Sequence, residues 1–256
     1  MTVRFRFVAD DYGESRQSNL SILELCSTEI VHSATVLAAA QCVYTTGYEL
    51  KRSDIFWGAH LYLTEYPPLT DAMLEYYYKR TPVTKMAILA DLLTGKLSLG
   101  IILKEFDEQM ERLLNCGFPV AFIDTHQNIH GIPLIYGIVK DVAKKHRISY
   151  DEIRPINQLS FTPGFNIRTL LSSLYSGYLG LASEKKVLFN CPCYRKAELD
   201  QEAALAAWEK FIVELNPVTT GELHIPCHPG TSPAEAQLYS SNNFANLLKF
   251  HCIQTF

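Results

Sequence analysis

Short apolar runs of strand length alternate with longer stretches of helical period along the whole chain. In Val3–Val8, Phe5 and Phe7 alternate with Arg4 and Arg6, which predicts a strand with one face open to water. Arg16–Thr28 sets Leu20, Leu23 and Leu25 among polar residues and predicts an amphipathic helix, and the β-branched run Ser33–Leu37 a second strand. Asp54–Leu63, DIFWGAHLYL, predicts a third strand. Thr84–Leu93 and Ile101–Leu114 read as helices, the second stopped by Cys116-Gly117-Phe118-Pro119. Val120–Asp124 predicts a fourth strand, and Ile132–His146 a helix with Ile135, Ile138, Val139 and Val142 on one face. Ile148–Arg154, closed by Pro155, gives a fifth strand; Ile167–Leu181 a helix; Val187–Asn190 a sixth strand. Leu199–Leu215 is a long amphipathic helix centred on Trp208, and Gly221–Cys227 a seventh strand leading into His228-Pro229-Gly230. Tyr76–Tyr78 and the stretch after Gly230 carry no clear period.

Seven strands alternating with helices, with no Pro/Gly/Ser linker and no repeat between them, predict parallel βαβ units in a single α/β domain spanning residues 1–256. An open doubly wound sheet and an irregular (β/α) barrel of about seven parallel strands, TIM-barrel-like, both fit this order. The unusual polar residues favour the barrel. Asp10, Asp11, His60, Asp124, His126, Arg154 and His228 all fall at or just past the C-terminal ends of different predicted strands. A barrel gathers those ends on one rim, whereas an open sheet would set some of them far apart.

Composition narrows the class. At 256 residues and 48% hydrophobic content the chain can bury a core without disulfides. Its seven cysteines are scattered, odd in number and without a CxxC pair, which fits reduced thiols. A net charge of −4 with no block of like charge gives no electrostatic case for nucleic acid or an anionic membrane as partner. The opening MTVRFRFVADD enters a strand at once, without a leader pattern, and no apolar run is long enough to span a bilayer; a cytoplasmic protein is expected.

The candidate chemistry centres on Val8–Gly13, VADDYG, where Asp10 and Asp11 follow an apolar strand and precede a turn-forming glycine. His60 lies near the end of the third strand, and His126 and His130 stand four apart directly after the fourth. In a helical segment both rings of HxxxH would share one face, a common spacing for metal ligands. Asp124, just before them, could orient a ligand histidine from behind. His228 is fixed in a rigid Pro-Gly turn, while His224, inside the strand, reads as structural, as do the cysteines. Asp11, His60 and His126 make a one-carboxylate, two-histidine set with room for water, the pattern of a catalytic rather than a structural metal. Asp10 is then free to act as general base and His228 as general acid, the parts needed to hydrolyse an amide or ester. A glycoside hydrolase using paired carboxylates, and a non-catalytic metal- or sugar-binding protein, are the alternatives. Adjacent acids suit the first poorly, because it needs them on opposite sides of the scissile bond.

ADDYG at 9–13 with Asn19 after it, GAHLYLT at 58–64, Asp124–His130, Glu222-Leu223 and HPG at 228–230 together resemble the successive motifs of the YdjC-like carbohydrate deacetylases. The resemblance implies an irregular (β/α) barrel and metal-dependent removal of N-acetyl groups from acetylated amino sugars, short chito-oligosaccharides among them. It implies Asp11, His60 and His126 as metal ligands, Asp10 as base and His228 as acid, with Asp124, His130 and Arg154 in substrate-binding or supporting roles. Ligand softness would suit Zn2+, whereas the resemblance leans to Mg2+. It also leaves a homodimer open.

Overall fold

The computed structural model describes residues 3–28, 30–39, 55–155, 158–159, 186–189, 200–215, 221–251 and 253–255. Contacts divide the chain into two compact units, Met1–Asp10 with Gln17–Ala34 and Pro155–Phe256, and Asp11–Arg16 with Thr35–Arg154. The chain therefore passes from one unit to the other between Asp10 and Asp11.

In the first unit β1 (Val3–Tyr12) is the central strand. It runs parallel to β7 (Gly221–Cys227) from Val3↔Gly221 to Ala9↔Cys227, and its start also pairs with β8 (Gln254–Thr255). β6 (Lys186–Phe189) pairs with β7 and β5 (Gln158–Leu159) with β6, again parallel, and β2 (Ser33–Val36) lies beside β1. Alternation along β1 buries Phe5 and Phe7 completely. They pack on Trp208 and Phe211 of α6 (Gln201–Leu215), on Tyr239 of α7 (Pro233–Tyr239) and on Phe244 of α8 (Asn242–Phe250). α1 is Arg16–Leu25. The other face of β1 is only partly wet, contrary to the sequence pattern. Arg4 is exposed, but Arg6 is buried because Glu222 lies 2.8 Å from its Nε and also meets His224 Nε2 at 2.8 Å. His224 is thus structural, as expected.

In the second unit β2 continues beside β3 (Phe56–Leu61), which pairs parallel with β4 (Phe122–Thr125) from Gly58↔Phe122 to Leu61↔Thr125. Its helices are α2 (Asp71–Lys79), α3 (Lys85–Leu93), α4 (Leu99–Asn115) and α5 (Pro133–Lys145). Thr84 and Ser98 cap α3 and α4 by accepting from the backbone N–H three residues on. The unpatterned Tyr76–Tyr78 belongs to α2.

Two expectations change, and a stretch the sequence pattern leaves unassigned takes shape. The predicted fifth strand, Ile148–Arg154, is a 3-10 turn at Tyr150–Glu152 followed by a single parallel bridge, Ile123↔Ile153. Polar Ser149-Tyr150-Asp151-Glu152 interrupts the apolar run, and the Ser149 hydroxyl accepts from the Asp151 N–H instead of leaving it to a sheet. The tail after Gly230 forms α7, α8 and β8. Leu238, Tyr239, Phe244 and Leu248 supply the buried sides of these helices. The ladders establish a parallel α/β architecture; among the described residues they do not close a ring of seven strands. The predicted helix Ile167–Leu181 lies outside the described residues. No described helix is long and apolar enough to cross a membrane.

The turn carrying His228 is seated by close backbone approach. A Cβ on Gly230 would lie 2.6 Å from Ser18 Cβ and 2.9 Å from its Cα on α1. Gly230→Ala is expected to lose about 1–3 kcal/mol through overpacking, read as a lowered urea midpoint.

Candidate metal centre

β1, β3 and β4 each deliver one donor. Asp11 is the last residue but one of β1, and its φ of 68° turns the carboxylate out of the strand alternation. His60 is the last residue but one of β3, and His126 follows β4 directly. Asp11 Oδ1 lies 3.3 Å from His60 Nε2 and 3.1 Å from His126 Nδ1, and the two nitrogens are 3.4 Å apart. Ligands about 2.0–2.2 Å from one cation sit roughly 3.0–3.5 Å from each other, so these three fit a divalent ion. Burial alone would raise the Asp11 carboxyl; the imidazoles of His126 and His60, bonded to it, hold it far below the carboxylate range. Burial pulls His126 down, but Asp11 and Glu65 outweigh it and its basicity is raised. A metal here would be bound by the neutral form of each imidazole.

A second layer fixes these rings. His60 Nδ1 lies 3.0 Å from Asp124 Oδ2, and the same oxygen pairs with the Arg154 guanidinium. Burial would raise the wholly buried Asp124; the charge of Arg154 and the contact with His60 reverse that and lower it. Asp124 therefore orients His60, not the adjacent His126. On His126 the outer nitrogen, Nε2, meets Glu65 Oε2 at 2.8 Å.

His130 does not join the cluster. Residues 126–131 form an irregular 3-10 turn in which Gln127 and Asn128 have φ of 56° and 50°, so the helical face assumed for HxxxH does not exist. His130 is buried, with Nδ1 on the Thr125 hydroxyl and Nε2 3.2 Å from the Arg154 carbonyl oxygen. Arg154 in turn donates its N–H to the Ile123 carbonyl. His130 and Arg154 thus brace the end of β4 from within.

The loops that carry His126 and Glu65 are held by helices. Glu105, buried on α4, accepts from the N–H groups of Leu69 and Thr70 and from the Thr70 hydroxyl. Gln109, one turn on, accepts from the Tyr62 N–H and donates to the Tyr62 carbonyl and to Glu105. Lys85, at the start of α3, donates to the carbonyl oxygens of Gln127 and Asn128. In the other unit, the His228 imidazole lies 3.9 Å from the Asp10 carboxylate, and the His228 N–H donates to buried Glu235 at 2.8 Å. Burial raises the Glu235 carboxyl.

A sequence profile described as YdjC-like protein matches residues 5–250. The chain belongs to the YdjC-like protein family. This YdjC-like chain is 26% identical over 238 residues to a carbohydrate deacetylase of Clostridium beijerinckii, covering 93% of this chain and 84% of that one. It is 29% identical over 150 residues to a carbohydrate deacetylase of Geobacillus stearothermophilus and 30% identical over 146 residues to one of Listeria welshimeri. Each of those matches spans 58% of the relative's length. In fold it is similar to a crystal structure from Enterococcus faecalis V583 named as a proposed cellobiose-phosphate cleavage protein, with a TM-score of 0.68 at 18% identity, covering 100% of this chain and 97% of that one.

The motif residues of this YdjC-like chain were legible in order, but Glu65, Glu105, Gln109, Lys85 and Glu235 were not. Glu65 follows GAHLYLT at once, a position that could have drawn notice; the others carry no local signal.

Burial lowers His130 of the YdjC-like chain to about 4. The unfolded imidazole titrates near ~6.5, so between these values the unfolded chain binds a proton that the folded one refuses. The stability from this residue is complete above the unfolded value and falls as pH drops toward the folded one. Acidifying from about pH 7 to about pH 5 should cost roughly 2 kcal/mol through His130 alone. Urea unfolding at both pH values checks this: the wild-type midpoint should fall more than that of His130→Gln, and equal falls would contradict it.

Proposed function

We propose that this protein is a metal-dependent hydrolase that removes N-acetyl groups from acetylated amino sugars, short chito-oligosaccharides being the expected substrates. The observation that carries the reading is the convergence of Asp11, His60 and His126 at donor–donor distances suited to one divalent ion. Relatives named carbohydrate deacetylase support the reaction class. The reading includes a single irregular (β/α)-barrel domain over residues 1–256; the parallel ladders support its α/β class.

A divalent cation, Mg2+ or Zn2+, would supply charge that acidifies a water and polarises a carbonyl. Asp11, His60 and His126 would hold it, with Asp124 and Glu65 orienting the two rings. Asp10 accepts the proton that the attacking water loses as its oxygen bonds to the acetamide carbon. The C–N bond then breaks, and the His228 imidazolium donates its proton to the departing sugar nitrogen, so acetate and a free amine leave. His228 suits the task because its turn is fixed by the Glu235 contact while its side chain keeps 21% exposure.

Acetate release from N-acetylglucosamine oligomers tests the proposal. Wild-type protein should release acetate, lose the activity on chelation and regain it with Mg2+ or Zn2+. Asp10→Asn should retain the metal yet lose about 100-fold or more in turnover, the usual worth of a general base. Unchanged turnover would remove Asp10 from that role, and shortened sugars without acetate would point to a glycoside hydrolase.

A further inference from the structure

We propose that Glu65 is the positioning residue for His126, holding its imidazole as the Nε2–H tautomer so that Nδ1 presents its lone pair beside Asp11 and His60. This rests on the metal reading above, and it assigns a role to a residue outside the Asp-His-His set.

The geometry is specific. Glu65 touches the nitrogen of His126 opposite to the one in the cluster, Oε2 to Nε2 at 2.8 Å. Its other oxygen, Oε1, accepts from the Gln127 amide. The Gln127 side-chain oxygen in turn accepts from the Thr64 hydroxyl at 3.2 Å. Residues 64–65 and 126–127 are thus tied to each other by three side-chain bonds, and the carboxylate is held through both oxygens. The Tyr66 ring stands edge-on to His126, with centroids 5.2 Å apart.

The backbone supports the same reading. Glu65, Gln127 and Asn128 are non-glycine residues with φ of 68°, 56° and 50°. Left-handed residues of this kind cluster where surrounding structure over-determines them, often at functional sites. Here the over-determination is visible: Glu105 and Gln109 hold the chain on either side of Glu65, and Lys85 holds the carbonyls of residues 127–128. An ordinary surface glutamate would need none of this.

The arrangement also completes a pattern. Asp124 takes Nδ1 of His60, so that ring meets the cluster through Nε2; Glu65 takes Nε2 of His126, so that ring meets it through Nδ1. The two histidines are fixed as opposite tautomers by two different carboxylates. Loss of such an outer partner typically weakens metal binding 10–100-fold.

Two measurements on the full chain test the proposal. In metal-free protein carrying 15N-labelled histidine, long-range proton–nitrogen spectra should show His126 Nε2 protonated. In Glu65→Ala the ring proton should move to Nδ1, where Asp11 accepts it, and in Glu65→Gln, whose carbonyl oxygen still accepts, Nε2 should stay protonated. Calorimetric titration with Zn2+ should give about 10–100-fold weaker binding for Glu65→Ala and a smaller loss for Glu65→Gln. Gln127→Ala, which frees only Oε1, should shift both readouts less and in the same direction; it serves if Glu65→Ala does not fold. An unchanged tautomer and affinity in Glu65→Ala, with wild-type binding intact, would overturn the Glu65 assignment alone. Wild-type protein that takes up neither Zn2+ nor Mg2+ would overturn the metal reading and the Glu65 assignment together.

Discussion

One buried carboxylate shared between two imidazoles sets the terms for the second unit. Asp11 can stay ionised in a poorly solvated place only because His60 and His126 lie within 3.3 Å and 3.1 Å of it. That demand propagates outward. Each ring must keep one nitrogen on Asp11, so the other must find an acceptor, and Asp124 and Glu65 are those acceptors. Asp124, itself wholly buried, then requires Arg154, and Arg154 is fixed by its N–H on Ile123 and its carbonyl on His130. A single charge at the end of β1 thereby accounts for the polar order behind β3 and β4.

The apolar framework supplies positions; the polar side chains of the helices supply aim. α4 buries Ile102, Phe106, Met110 and Leu113 as an amphipathic helix should, yet Glu105 and Gln109 lie on the same buried side. Their place there is explained by the backbone groups of residues 62, 69 and 70, which would otherwise lack partners in a loop that must run close to the site. Lys85 does the same for residues 127–128 at a desolvation cost that lowers its own basicity.

Much of this fold could be read from the residues because its strands are short apolar runs flanked by turn signals and its helices carry strong periods. β1, β3, β4 and β7 fall where alternation and β-branched or aromatic content place them. The failures have physical causes. Ile148–Arg154 looked like a strand because Ile148 and Ile153 are both buried, but local side-chain bonding at Ser149 diverted the backbone between them. HxxxH suggested one face because a helix was assumed, whereas two left-handed residues send His130 into the interior. The Asp-His-His set was legible because all three members end strands. Its supports were not, because a hydrogen-bond partner some 40–60 residues away, such as Gln109 for Tyr62 or Glu65 for His126, leaves no periodic trace.

Adjacent acids of identical type are set in different surroundings by backbone geometry. Asp10 continues the strand and faces His228 of its own unit; Asp11, at φ 68°, leaves the alternation and meets two histidines. The attraction between the Asp11 carboxylate and the imidazoles of His60 and His126 also draws the three side chains together. A depressed carboxyl and a raised imidazole are the two sides of that attraction. A divalent ion at this centre would therefore enter an arrangement already drawn in to ligand distances, so ordering these side chains is work of folding, not of binding.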